Sequence, residues 1–166
     1  MDLRAVQQPI KDAYRADPDQ ARITLTARGR ADETPIACNV DLGRALYEAQ
    51  AHVGVGGAGT AACSGDLLLG ALAACGQLTC QMVATAMGLE VRSIETTVEG
   101  ELDLRGTLGL DREVGAGFSA IRLRFAVDAP GATPEQLESL LAKTERYCTV
   151  AQTLMAPPAL EVELAG

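Results

Sequence analysis

Apolar and polar positions along this chain follow two different periods, which separate strands from helices. In residues 22–28, Ile23, Leu25 and Ala27 alternate with Arg22, Thr24, Thr26 and Arg28. Ile36, Cys38 and Val40 alternate in the same way with Ala37, Asn39 and Asp41. A two-residue period is that of a half-buried strand, and the stretch 29–35 between the two has hairpin-loop composition. The clearest strand follows later. There Ile94, Thr96, Val98, Gly100, Leu102 and Leu104 fall on one face, and Glu95, Thr97, Glu99, Glu101 and Asp103 on the other. In residues 120–128, Ile121, Leu123, Phe125 and Val127 alternate with Arg122 and Arg124. The acidic outer face of one strand thus matches the basic outer face of the next, which sets pairing and register and reads as a solvated ion-pair surface. After Pro157 and Pro158, Leu160, Val162 and Leu164 alternate with glutamates as a final strand.

Helical spacing appears in three places. Residues 2–16 form a short surface helix that stops ahead of Asp17 and Pro18, because proline disfavours helical geometry in the residue before it. Thr133, Pro134 and Gln136 supply an N-cap, a first-turn proline and a capping-box partner. Behind them Leu137, Leu140, Leu141, Thr144 and Cys148 make one stripe, so Cys148 faces the core, and residues 149–156 continue as a further helical turn. The third helix is unusual: residues 67–89 carry no charge over 23 positions, long enough to cross a bilayer. Against insertion stand Gln77, Thr79, Gln81 and Thr85, carboxylates at both ends (Asp66, Glu90) and the lack of flanking cations or an aromatic belt. The segment reads instead as a buried helix capped by Ser64 and ended by Gly88. A chain of 166 residues can rarely enclose such a helix alone, so a dimer is expected. The order strands, buried helix, strands, helix, strand predicts an α+β fold, with residues 1–21 peripheral and 22–166 a single domain.

Composition removes several functions. Fourteen Lys and Arg against 22 Asp and Glu leave a net charge of −8, and the scattered basic residues give no footprint for nucleic acid. With no Trp, three Tyr and two Phe, there is little from which to build a stacking platform. Five cysteines without a secreted-domain pattern, behind a polar start, lead to the expectation of a cytoplasmic, reducing setting and no membrane.

The chemistry then narrows to thiols. The glycine-rich stretch 54–65 lacks both the Gly-Lys-Ser/Thr of a phosphate loop and the preceding strand of a dinucleotide fingerprint, so it is read as turns and close packing. His52 is the only histidine and no Cys-x-x-Cys pair occurs, which argues against structural zinc and against a catalytic triad. Cys75 lies mid-helix, where dipole support for a thiolate has faded, and an apolar setting raises a thiol's pKa. A reactive Cys75 therefore requires activation from elsewhere, such as a guanidinium. Cys80 is turned about 140° away around the helix and is read as packing.

The stretch Ser64-Gly-Asp-Leu-Leu-Leu-Gly-Ala-Leu-Ala-Ala-Cys75, with Thr-Glu-Arg-Tyr-Cys148-Thr-Val later, resembles the OsmC/Ohr family of thiol-dependent peroxidases. The resemblance implies an intertwined homodimer of OsmC-like fold, with long central helices buried between sheets from both chains. It implies that Cys75 attacks a hydroperoxide, organic hydroperoxides included, and becomes a sulfenic acid. Cys148 then resolves it as a disulfide, a dithiol restores both, and no cofactor is needed. The family's arginine maps to the first hairpin, on Arg28 or Arg30, with Arg30 favoured. Two departures are visible. The family's glutamate at the start of the long helix falls on Gly65, with Asp66 adjacent, and the usual Cys-Pro reads Cys148-Thr149. Glu145, one turn earlier, is placed to contact the site instead. The competing expectation is a non-catalytic dimer that binds a small hydrophobic or electrophilic ligand, or a redox sensor.

Overall fold

The computed structural model describes residues 3–31, 38–41, 51–60 and 62–164, with side chains in 8–24, 51–60 and 62–164. The elements in chain order are α1 (Leu3–Ala16), β1 (Arg22–Ala31), β2 (Cys38–Asp41), α2 (Ser64–Ala86), β3 (Ser93–Asp103), the single turn α3 (Leu104–Thr107), β4 (Phe118–Asp128), α4 (Pro134–Tyr147) and α5 (Thr149–Met155). The strands form one antiparallel sheet in the order β2-β1-β3-β4. This is the α+β arrangement that the alternating periods predict.

The binary pattern of β3 explains how the sheet meets α2. Ile94, Thr96, Val98 and Gly100 are buried beneath the helix, while Glu95 is exposed on the other side. On that outer side Arg124 Nη1 reaches Glu99 Oε2 at 2.7 Å, and Arg122 pairs with Glu101. The ion pairs run diagonally across the β3–β4 register, in which Glu99 itself lies opposite Arg122. Gly100 is where the sheet admits Phe118, since a Cβ there would lie 2.5 Å from its ring. Expected β3 residue Leu104 instead starts α3, whose cap is the Asp103 carboxylate accepting from Arg105 N–H at 3.0 Å.

The long helix α2 packs its Leu69, Leu72 and Ala73 with Val98, and its Cys80 and Ala84 with Ile94 and Leu140. Polar groups on its buried face are satisfied. Gln77 Nε2 donates to Ile94 O at 2.9 Å and to Gln81 Oε1 at 2.7 Å, while Thr96 Oγ1 donates to Gln77 Oε1 at 2.6 Å. That closed network fixes the helix on the sheet, because leaving any of these buried groups unpaired would cost about 1–3 kcal/mol. The helix is long and apolar enough to span a membrane, but slightly more than half of its most apolar window is buried against the rest of the protein.

Its ends differ in how well the sequence foretold them. Cys63, not Ser64, is the N-cap: Asp66 Oδ2 accepts the Cys63 N–H at 2.8 Å, which identifies Asp66 as the third helical residue. At the other end Gly88 has φ +66°. Its N–H bonds Thr85 O and the Leu89 N–H bonds Ala84 O, both at 3.0 Å, closing the helix in a left-handed cap.

Two further expectations are corrected. The first hairpin strand β1 runs through Gly29, Arg30 and Ala31, residues expected in a loop; Ile36 lies outside the described residues. Residues 156–164 form no strand: Leu160, Val162 and Leu164 stand almost fully exposed, and among the described residues no sheet edge pairs with them. The peripheral helix α1 is anchored by Tyr14, whose hydroxyl donates to Gly54 O at 2.8 Å. The glycine-rich stretch here serves close packing, since a Cβ on Gly57 would lie 1.6 Å from Ala51 O.

Candidate functional site

The site forms where α2 passes the break between α4 and α5. The capping box of α4 is in place: Thr133 N–H donates to Gln136 Oε1 at 2.9 Å, and Gln136 N–H to Thr133 Oγ1 at 3.3 Å. From that start the stripe brings Leu140, Thr144 and Cys148 to buried positions, with Leu141 left 52% exposed. Cys148 ends α4 and caps α5 in an extended conformation (φ −73°, ψ 104°). The expected continuous turn after residue 148 is therefore a separate helix. Its first N–H groups lack intrahelical acceptors and are open to another partner.

That partner is Cys75. Its sulfur, on half-buried Cys75, is hydrogen-bonded to the Cys148 thiol, the Thr79 hydroxyl and the backbone N–H groups of Val150 and Thr149. Burial pushes the Cys75 thiol up, and hydrogen bonds from Val150 N–H, Cys148, Thr79 and Thr149 N–H outweigh it, so its pKa falls below the ordinary thiol value. Cys148 is fully buried, and its thiol is raised to about 11 by burial and by the hydrogen bond and negative charge of Cys75. The Ala151 and Val150 N–H groups oppose this in part. The two thiols are thus driven apart, Cys75 toward the thiolate and Cys148 toward the protonated form. Among the described residues the four donors to Cys75 are all neutral, so what lowers its pKa there is hydrogen bonding.

The sequence-derived site residues separate here. Cys75 and Cys148 are brought together. Glu145 is exposed on α4 but lines an apolar cavity of about 210 Å³ with Leu72, Ile121, Leu123 and Leu154, alongside Ala151 of the thiol cluster. Arg30 lies on β1 in register with Glu95 of β3, and Arg28 in register with Thr97. The side chains of both arginines lie outside the described residues. Asp66 is engaged by the Cys63 N–H in capping α2. The residues that the sequence reading missed are Thr79, Thr149 and Val150. Thr79 stands one helical turn beyond Cys75, a spacing that was available as a signal; backbone donors leave no mark in a side-chain pattern.

The remaining thiols are different. Burial raises both Cys63 and Cys80, against a minor opposing hydrogen bond from Thr144 at Cys80 and from the Asp66 N–H at Cys63. Among the described residues there is no disulfide, and no cluster of three or more His, Cys, Asp or Glu suited to a metal. His52 is a turn residue whose Nδ1 accepts the Gly54 N–H at 3.0 Å.

Residues 57–163, more than half of the chain, match the family model described as OsmC-like protein. The structure is similar to the crystal structure of an OsmC-like hydroperoxide resistance protein from Jannaschia sp. CCS1, with a TM-score of 0.66 at 15% identity, covering 88% of this chain and 95% of that one. No curated protein matches the sequence.

Proposed function

The chain belongs to the OsmC-like family, and from that premise we propose that it is a two-cysteine hydroperoxide reductase acting in defence against peroxides. The observation that carries the reading is the divided thiol pair: a Cys75 sulfur whose pKa is lowered by four donors, one of which is a Cys148 thiol that stays protonated.

In this reading the Cys75 thiolate attacks one peroxide oxygen. A sulfur–oxygen bond forms, the oxygen–oxygen bond breaks, and the departing alkoxide takes a proton to leave as an alcohol. Cys75 is then a sulfenic acid. Cys148, after losing its proton, attacks that sulfur, releasing water and forming the Cys75–Cys148 disulfide. A dithiol reductant returns both to thiols by exchange. An apolar cavity that shares Leu72 and Ala151 with the core cluster holding Cys148, and has Ile121 and Leu154 also on its walls, supports an organic hydroperoxide as substrate. Arg30 and Glu145 join the proposal as charged auxiliaries, Glu145 on the cavity wall and Arg30 as the family pattern's cation. A homodimer in a cytoplasmic setting completes it.

The test is consumption of an organic hydroperoxide with a dithiol, comparing the parent chain with Cys75→Ser and Cys148→Ser. Cys75→Ser should abolish turnover. Cys148→Ser should consume about one equivalent per chain and then stall or overoxidise. Equal rates in all three would favour the second reading, binding of a small hydrophobic or electrophilic ligand in the same apolar cavity.

A further inference from the structure

The backbone alone does not force a break between α4 and α5. Residue 149 is threonine, so it carries an N–H, and no proline ring bars helical geometry at Cys148 ahead of it. In an unbroken helix the Thr149 N–H would donate four residues back, to Glu145 O. Instead α4 closes with Cys148 N–H on Thr144 O at 2.9 Å, and α5 takes up its own pattern with Gln152 N–H on Cys148 O, also at 2.9 Å. Between them ψ at Cys148 is 104°, where a helix needs about −42°.

The break leaves two groups with new partners. The Thr149 N–H is hydrogen-bonded to the Cys75 sulfur. The carbonyl it would have met in a continuous helix, Glu145 O, accepts from Gln152 Nε2 at 2.9 Å. Gln152 is the fourth residue of α5, and its amide reaches back across the break to the last turn of α4. By contrast, Thr153 Oγ1 donates to Thr149 O at 2.8 Å, a bond that stays within α5.

We propose that Gln152 is a positioning residue for Cys75: by holding Glu145 O, its amide keeps α4 from extending through Thr149 and leaves the Thr149 N–H to the sulfur. One N–H cannot serve both acceptors well, because a good hydrogen bond is close to linear. Without the amide, Glu145 O competes for the Thr149 N–H and the helix can grow through Cys148. The same growth would turn the Cys148 thiol away from its extended setting at the break. The inference deepens the preceding reading and rests on Cys75 as its nucleophile, yet alkylation tests it without any peroxide.

The experiment is the pH profile of Cys75 alkylation in the reduced, native full chain, followed by mass spectrometry. The chains compared are the parent, Gln152→Met, Thr153→Val, Thr149→Pro and Thr149→Pro/Gln152→Met. Methionine keeps the length and helix propensity of glutamine but has no donor. Gln152→Met should move the midpoint to higher pH and slow the reaction roughly fivefold on the acid side of the profile, the worth of about one hydrogen bond. Thr153→Val should leave the profile near the parent's. In Thr149→Pro the contested N–H is gone and the ring itself enforces the break, so adding Gln152→Met should change the rate less than about twofold. Gln152→Met and Thr153→Val alter exposed side chains, so both should fold, as circular dichroism and urea unfolding would verify. A Gln152→Met profile that matches the parent's overturns the proposal, and so does an equal slowing in Thr153→Val. A further fivefold loss on top of Thr149→Pro overturns it too, since Gln152 would then be acting on something other than that N–H. A parent chain that shows the alkylation contrast but consumes no hydroperoxide removes the peroxidase reading and leaves the role of Gln152 standing.

Discussion

Cys75 and Cys80 occupy the same helix five positions apart, and their thiols are driven in opposite directions. Burial raises both. Cys80 faces α4 ahead of its end, where Thr144 is a weak counterweight because its hydroxyl already donates to Leu140 O at 2.8 Å. Cys75 faces the place where α4 has ended and α5 is starting, so it meets backbone N–H groups that no helix has consumed. By this contrast, a thiol of lowered pKa is made, among the described residues, by a break in the neighbouring helix. Position along α2 alone does not make one.

The largest test of that contrast exchanges the two cysteines' roles. Cys75→Ser should reduce peroxide turnover to the uncatalysed background, whereas Cys80→Ser should leave it within about twofold, measured in the same dithiol-coupled assay. Next in size is the donor set. Thr149→Pro removes one N–H at a first helical position where proline is well tolerated, so the helix should survive while the thiolate loses a donor. Because a hydrogen bond to a charged group contributes about 1.5–3 kcal/mol, alkylation of Cys75 near neutral pH should slow roughly tenfold or more. Thr149→Ala keeps the N–H and should change little. Arg30→Ala should have a smaller effect than Thr149→Pro, since four neutral donors already hold the thiolate; a larger effect would return the activation to the guanidinium. Smallest is Thr133→Ala, which should lower stability by about 1 kcal/mol in urea unfolding through loss of the α4 cap, with alkylation of Cys75 unchanged in the folded protein.

The same comparison marks how far the sequence could be read. α2, the β3–β4 pair and the start of α4 were legible because their signals are local: a charge-free run, strict alternation and a Thr-Pro-x-Gln cap. The true start of α2 was obscured because cysteine is not a capping type, although Asp66 three residues beyond Cys63 was the available sign. The pairing of Cys75 with Cys148 followed from family resemblance and the α4 stripe. The source of activation did not, because backbone N–H groups look alike in every sequence and become donors only where a helix stops. At the C-terminus the alternation of Leu160, Val162 and Leu164 was read as a strand, yet a pattern specifies a face and cannot supply an edge. Among the described residues that edge is not provided.

The most direct measurement of the central claim is the pH dependence of alkylation at each cysteine, followed by mass spectrometry of the reduced, native protein. A lowered pKa places the thiolate at lower pH, so Cys75 should be modified with a midpoint below 9.0, the ordinary thiol value. Cys148, raised to about 11, should stay unreactive through that range. If Cys148 reacts first, or if Cys75 titrates above the ordinary value alongside Cys80, the division of labour between the two thiols is contradicted.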